Sequence, residues 1–168
     1  MGVTLKQPMA QKYCLACQGC CRFQDAQSPW RPKIYEGESR IFSCNDLPSD
    51  LKDASDRLKT VFAHDAHQCL ALDAKTSKCK YYHDRPLECR LYPFVLMNKK
   101  EGIFLAVHLA CPFAQEAQGS GEFKDHCEGL KGFFRQESVQ QFLRAQKDNI
   151  RSGHIKAEEV AILFPILP

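Results

Sequence analysis

Four thiols fall within eight residues in Cys14-Leu-Ala-Cys17-Gln-Gly-Cys20-Cys21, and the chain carries ten cysteines in 168 residues. C-x2-C spacing lets two sulfurs converge on one ion, because a tight turn brings both side chains to the same side. A third Cys two residues further on extends the cup, and structural zinc sites and iron–sulfur clusters are both built this way. Disulfides compete for the same residues. Disulfide frameworks, however, belong mostly to short secreted domains. Residues 1–6, Met-Gly-Val-Thr-Leu-Lys, open no apolar run of signal-peptide length, and the C-terminal Ala161–Pro168 is too short to span a bilayer. The expectation is a cytoplasmic protein, off the membrane, whose thiols bind metal.

Adjacent side chains usually diverge, so Cys20 and Cys21 are expected to point to different ions or different edges of a cluster. Further ligands must come from elsewhere. The candidates are Cys69, Cys79 and Cys89, ten residues apart, and Cys111. Pro86 and Pro93 each fix a φ angle and stiffen the backbone around Cys89. Arg85 and Arg90 flank that thiol, and guanidinium N–H groups can donate to metal-bound sulfur and offset its charge. His64 and His67 would share a face on a helix and could add imidazole ligands. His83 beside the Arg-Pro turn could support the ligands from outside.

The cup C-x2-C-x2-C-C with Arg22-Phe23 after it, a Cys at 69, and the block Cys79-x2-Tyr82-x2-Arg85-Pro86-x2-Cys89-Arg90-x-Tyr92-Pro93 together resemble the YkgJ-type cysteine-cluster family (CxxCxxCC), described as chelating zinc or iron. Cys111-Pro112 also fits, although the family often continues with Gly where Phe113 stands. The resemblance covers roughly residues 14–112. It implies the ligand set Cys14, Cys17, Cys20, Cys21, Cys69, Cys79, Cys89 and Cys111. Cys44 and Cys127 lie outside the pattern and read as small buried apolar residues.

Eight thiolates suit two closed zinc sites. The same sulfurs could hold a 4Fe-4S cluster, with Cys14, Cys17 and Cys20 as triplet and Cys111 as the remote partner. Zinc ions, iron ions and a cluster therefore all stay open as cofactors, and with a cluster the alternative function is redox or group-transfer activity, alone or as a component of such an enzyme. A metal ion is the expected partner, with room for an unidentified protein. A formal charge of +3, turned slightly negative by eight thiolates around two divalent ions, argues against nucleic acid. No nucleophile elbow or phosphate-cradling glycine loop marks an enzyme of those classes.

These residues need a scaffold. The length suits one domain, and the pattern predicts α+β: irregular metal-stapled loops, a β-hairpin and a few helices. We expect a lead-in over 1–13, a cysteine-cluster core over 14–112, and a helical extension over 113–168 packed on the same domain. Pro29, Pro32 and Gly37 mark 22–37 as irregular, with Trp30 and Tyr35 expected to pack over the cup. Leu51, Ala54, Leu58 and Val61 predict a helix from Ser49, and residues 69–93 read as loop with short turns. Tyr92, Phe94 and Leu96, the turn 98–102, then Ile103, Leu105, Val107 and Leu109 predict the hairpin. Residues 115–128 read as exposed loop. A helix follows from Ser138 with Val139, Phe142, Leu143, Gln146 and Ile150 on one stripe, ended by Gly153. The apolar C-terminal segment should dock on the domain.

Overall fold

The computed structural model describes Leu5, Tyr13 and residues 19–42, 44–151 and 155–168. Cys14, Cys17 and Gly153, singled out above, lie outside the described residues, as does most of the segment 1–13. The helices are α1 (Glu38–Phe42), α2 (Leu87–Leu91), α3 (Pro112–Ala117), α4 (Gly121–Phe134) and α5 (Glu137–Ala145). The strands are β1 (Arg22–Phe23), β2 (Thr60–Ala63), β3 (Ala66–Cys69), β4 (Phe94–Lys99), β5 (Gly102–His108) and β6 (Val160–Leu167). They form two antiparallel sheets, ordered β1-β3-β2 and β4-β5-β6, so the chain is α+β.

The hairpin forms where the alternation predicts it, from Phe94 opposite Val107 to Lys99 opposite Gly102. Gly102 sits at φ +130, and a Cβ there would overlap the Leu167 carbonyl oxygen of β6. The apolar C-terminal segment docks by becoming that third strand, with two register shifts along β5. Pro165 is tolerated because β6 is an edge, where a missing N–H leaves no partner unbonded.

The two faces of this sheet feed two cores. Phe94, Leu96, Ile103, Leu105 and Val107 pack into the main core with side chains of α1, α4 and α5. Side chains of this size each contribute about 1.5–3 kcal/mol when fully buried. Val95, Met97, Ala106 and Val160 face the other way, beneath Trp30 and Ile155.

Two segments differ from the expectation. Residues 115–128 are helical apart from the turn at 118–120, which separates α3 from α4. Pro112 starts α3 at a position where its missing N–H costs nothing. Ser120 caps α4 by accepting from the Phe123 N–H at 3.1 Å. The polar, glycine-bearing surface of α4 hides an apolar stripe of Phe123, Leu130, Phe133 and Phe134. Conversely, the helix expected from Ser49 is a single 3-10 turn, Ser49–Leu51. The Asp53 carboxylate accepts from the Ser55 and Arg57 N–H groups, and Asp56 turns left-handed at φ +57. Those side-chain bonds displace helical ones. Val61 then lies exposed in β2, not on a helix stripe. The stripe from Ser138 is real: α5 buries Val139, Phe142 and Leu143, and a 3-10 turn carries the chain on to buried Ile150.

Candidate metal centre

The smaller sheet has a core that its own cysteines help to make. Leu51, Leu58, Cys69, Ala71 and Leu72 form its centre, and Cys21, Cys79, Cys89 and Tyr81 pack against it. Three pieces of local structure bring the thiols there. Arg22 pairs with Gln68 and Phe23 with His67, so the same register carried one residue outward sets Cys21 against Cys69. Beyond Cys69 the chain makes a closed loop. The Asp73 carboxylate accepts from the Lys75 and Thr76 N–H groups at 2.9 Å each, and the Lys80 N–H donates to the Ala71 carbonyl at 2.8 Å. That loop bridges Leu72 to Cys79 and returns Cys79 to the side of Cys69.

The third piece is α2. Pro86 holds Arg85 extended before the helix, and α2 then carries five consecutive residues with separate tasks. Leu87 and Leu91 anchor in the main core. Glu88 accepts from the Tyr35 hydroxyl at 2.7 Å, the Lys33 N–H at 2.9 Å and the Arg151 guanidinium at 2.6 Å. Cys89 faces the other cysteines. Arg90 donates to the carbonyls of Arg85, Phe42 and His83.

Cys20, Cys21, Cys69, Cys79 and Cys89 line one chamber of about 110 Å³. The Cys20 and Cys21 thiols are hydrogen-bonded to each other. The expected divergence of this pair is therefore not observed: a 3-10 turn, Gly19–Cys21, curls both inward. The bond from Cys21 lowers the Cys20 pKa, with help from Arg85, and raises that of Cys21, with help from burial. Burial and the neighbouring thiols push Cys89 well up and Cys69 up to about 11. Cys79 is raised by burial, against the pull of Arg85. Arg85 donates to the Tyr82 carbonyl at 2.8 Å and lies 3.8 Å over the Tyr82 ring, in the chamber wall.

The other singled-out residues lie elsewhere. Arg90 clamps backbone carbonyls and the Cys44 thiol, and does not line the chamber. Cys111 is buried in the main core, where it precedes α3. Cys44 and Cys127 pack against that core. His64 and His67 share no helix face: His64, at φ +50, turns the β2–β3 hairpin, and His67 packs beside the Phe62 ring. His83 is exposed. Trp30 lines the chamber but packs against Val95, Met97, Ala106 and Val160 of the larger sheet, not on the cysteine-bearing core, and Tyr35 turns into the main core. Glu88, His108 and Arg151 also line the chamber, and no local pattern in the sequence marks them.

Among the described residues no two cysteines are joined as a disulfide, and no three His, Cys, Asp or Glu side chains are close enough to hold an ion. The donors gathered here are nevertheless mostly sulfur, five thiols beside Glu88 and His108, with one thiol biased toward thiolate and a guanidinium beside it. That set fits zinc or iron and suits neither magnesium nor calcium. No helix among the described residues is long and apolar enough to cross a membrane.

Fold and site thus define an α+β protein whose second core is a convergence of cysteines. The chain belongs to the CxxCxxCC family, described as "Putative zinc- or iron-chelating domain", whose model matches residues 13–128. No curated protein and no solved structure matches the chain.

Proposed function

We propose that the chain is a cytoplasmic zinc- or iron-binding protein whose centre is held by Cys20, Cys21, Cys69, Cys79 and Cys89, with Cys14 and Cys17 completing it. The observation that carries this reading is the convergence of five thiols from four separate segments on one chamber. Arg85 offsets part of the thiolate charge, since it already acts on Cys20, Cys79 and Cys89. Arg90 supports the site at one remove, by fixing the Arg85 carbonyl. Bound zinc or iron would supply cross-links between segments that otherwise share only a small core, on the order of 10 kcal/mol of folding free energy.

The test is metal analysis of protein purified without oxygen, for wild type, Cys14→Ser, Cys89→Ser, Cys111→Ser and Cys127→Ser. Loss of metal is expected in Cys14→Ser and Cys89→Ser, and full content in Cys127→Ser. Cys111→Ser decides whether a thiol in the main core belongs to the set. Colourless protein with zinc assigns closed zinc sites. Brown protein with iron and sulfide assigns the same thiols to a 4Fe-4S cluster. Unchanged metal content in both Cys14→Ser and Cys89→Ser would end the proposal.

A further inference from the structure

β2 is the last strand of the smaller sheet, and among the described residues no strand pairs with its outer side. Natural sheet edges are usually blunted by charge, proline or a bulge, because unpaired N–H and C=O groups recruit another strand. Thr60, Val61, Phe62 and Ala63 carry none of these devices. Instead Val61 is 48% and Phe62 65% exposed, two of the three large apolar side chains that lie open among the described residues.

The register fixes the face on which Phe62 stands. Phe62 is opposite His67, and His67 is opposite Phe23 on the far strand. Partners across a sheet share a face, and so do residues two apart along a strand. The Phe23–His67–Phe62 row therefore lies on the face that also carries Cys69. Phe23 is buried and lines the thiol chamber, so the row continues that wall outward and ends on an open aromatic ring.

The charge around this edge is one-sided. Residues 59–85 hold the cations Lys59, Lys75, Lys78, Lys80 and Arg85 against the acids Asp65, Asp73 and Asp84. Two of those acids already accept backbone N–H groups, Asp73 from Lys75 and Thr76, and Asp84 from Asn45. Lys59 leads into β2, and its carbonyl accepts from the Leu70 N–H at 3.0 Å, where β3 runs on into the lysine-bearing loop. Lys75, Lys78 and Lys80 are exposed on that loop, and Lys78 and Arg85 border the chamber.

We propose that β2 is the docking edge for an extended acidic segment of a partner protein. The segment adds a fourth strand to the smaller sheet, with an apolar side chain on Phe62 and carboxylates toward Lys59 and the loop lysines. A second copy of this chain fits less well, because it brings a second set of the same cations to the seam. The docking goes beyond metal chelation and needs only the folded smaller sheet.

The experiment uses the full chain, with its metal content measured, and two capped probe peptides: Glu-Val-Glu-Val-Glu-Val and its counterpart with Lys in place of Glu. Affinity is read by calorimetry, and the site is located by amide hydrogen exchange. The acidic peptide is expected to bind at least about tenfold tighter than the basic one, to weaken as salt rises, and to protect the amides of residues 60–63. Phe62→Ser removes the apolar anchor at an exposed position and should weaken the acidic peptide by about tenfold or more with Tm unchanged. Lys75→Glu combined with Lys80→Glu should abolish the preference for the acidic peptide. Equal binding of both peptides, no binding of either to natively folded protein, or an affinity unchanged in Phe62→Ser overturns the proposal. Dimerisation of the wild-type chain that Phe62→Ser abolishes assigns the edge to a second copy and overturns it equally.

Discussion

Glu38 offers a sharp test of the packing between α1 and α2. The residue is 6% exposed, and its Oε2 accepts from the Leu87 N–H at 3.3 Å. Burial raises its pKa from 4.5 to about 8, against the hydrogen bonds from the Leu87 and Tyr35 backbone. The folded protein therefore holds a proton that the unfolded chain releases near its ordinary pKa. The stability linked to this group is fully present below about pH 4.5 and is lost as the pH rises through about 8. At about 1.4 kcal/mol per pH unit, the shift corresponds to roughly 5 kcal/mol. Glu38→Gln keeps the acceptor oxygen and removes the titration. Urea denaturation of both proteins in parallel, between about pH 5 and pH 8, should show near-equal stability at the acid end. Toward the alkaline end the variant should gain several kcal/mol over wild type. Measuring the difference cancels the titration of the thiols, which both proteins share. Two stability curves that stay parallel over that range would refute the reasoning.

Three further outcomes follow from the packing. Arg151→Met leaves the Glu88 carboxylate buried beside a lost partner and should cost about 3–5 kcal/mol, and adding Glu88→Gln should recover part of it in a double-mutant cycle. Gly102→Ala places a methyl group on the Leu167 carbonyl oxygen and should cost at least about 2 kcal/mol, read as a lower Tm with β6 loosened in hydrogen exchange. Complete metal removal should collapse the circular dichroism of the smaller sheet, whose small core has Cys69 within it and Cys21, Cys79 and Cys89 packed against it, and an unchanged spectrum would contradict it.

Much of the frame was legible in residue order because local pattern and tertiary role agree there. Phe94 to Val107 alternate as strands, and they are strands. Val139, Phe142 and Leu143 sit at helical spacing, and they form the buried face of α5. Residues 115–128 misled because Gly119, Gly121 and many charges dilute a stripe that becomes visible only when counted through Phe134. Residues 49–61 misled the other way: their apolar spacing is helical, but the Asp53 carboxylate captures the backbone first. At the site, the cysteines declare themselves by type and spacing. Glu88, His108 and Arg151 do not, because they come from three distant segments and meet only in the fold. The Cys20–Cys21 pair shows a subtler limit: divergence of neighbours holds for strands, whereas here a tight turn curls both thiols into one space.

Helix α2 is five residues long, yet it touches every part of the molecule that matters to the site. Leu87 and Leu91 tie it to the main core, Glu88 to Tyr35 and Arg151, and Cys89 to the thiols. A helix this short cannot flex internally, so it moves as a single pivot. Were Cys89 to hold an ion as proposed, the pull would therefore reach the carboxylate hub and both leucine anchors together.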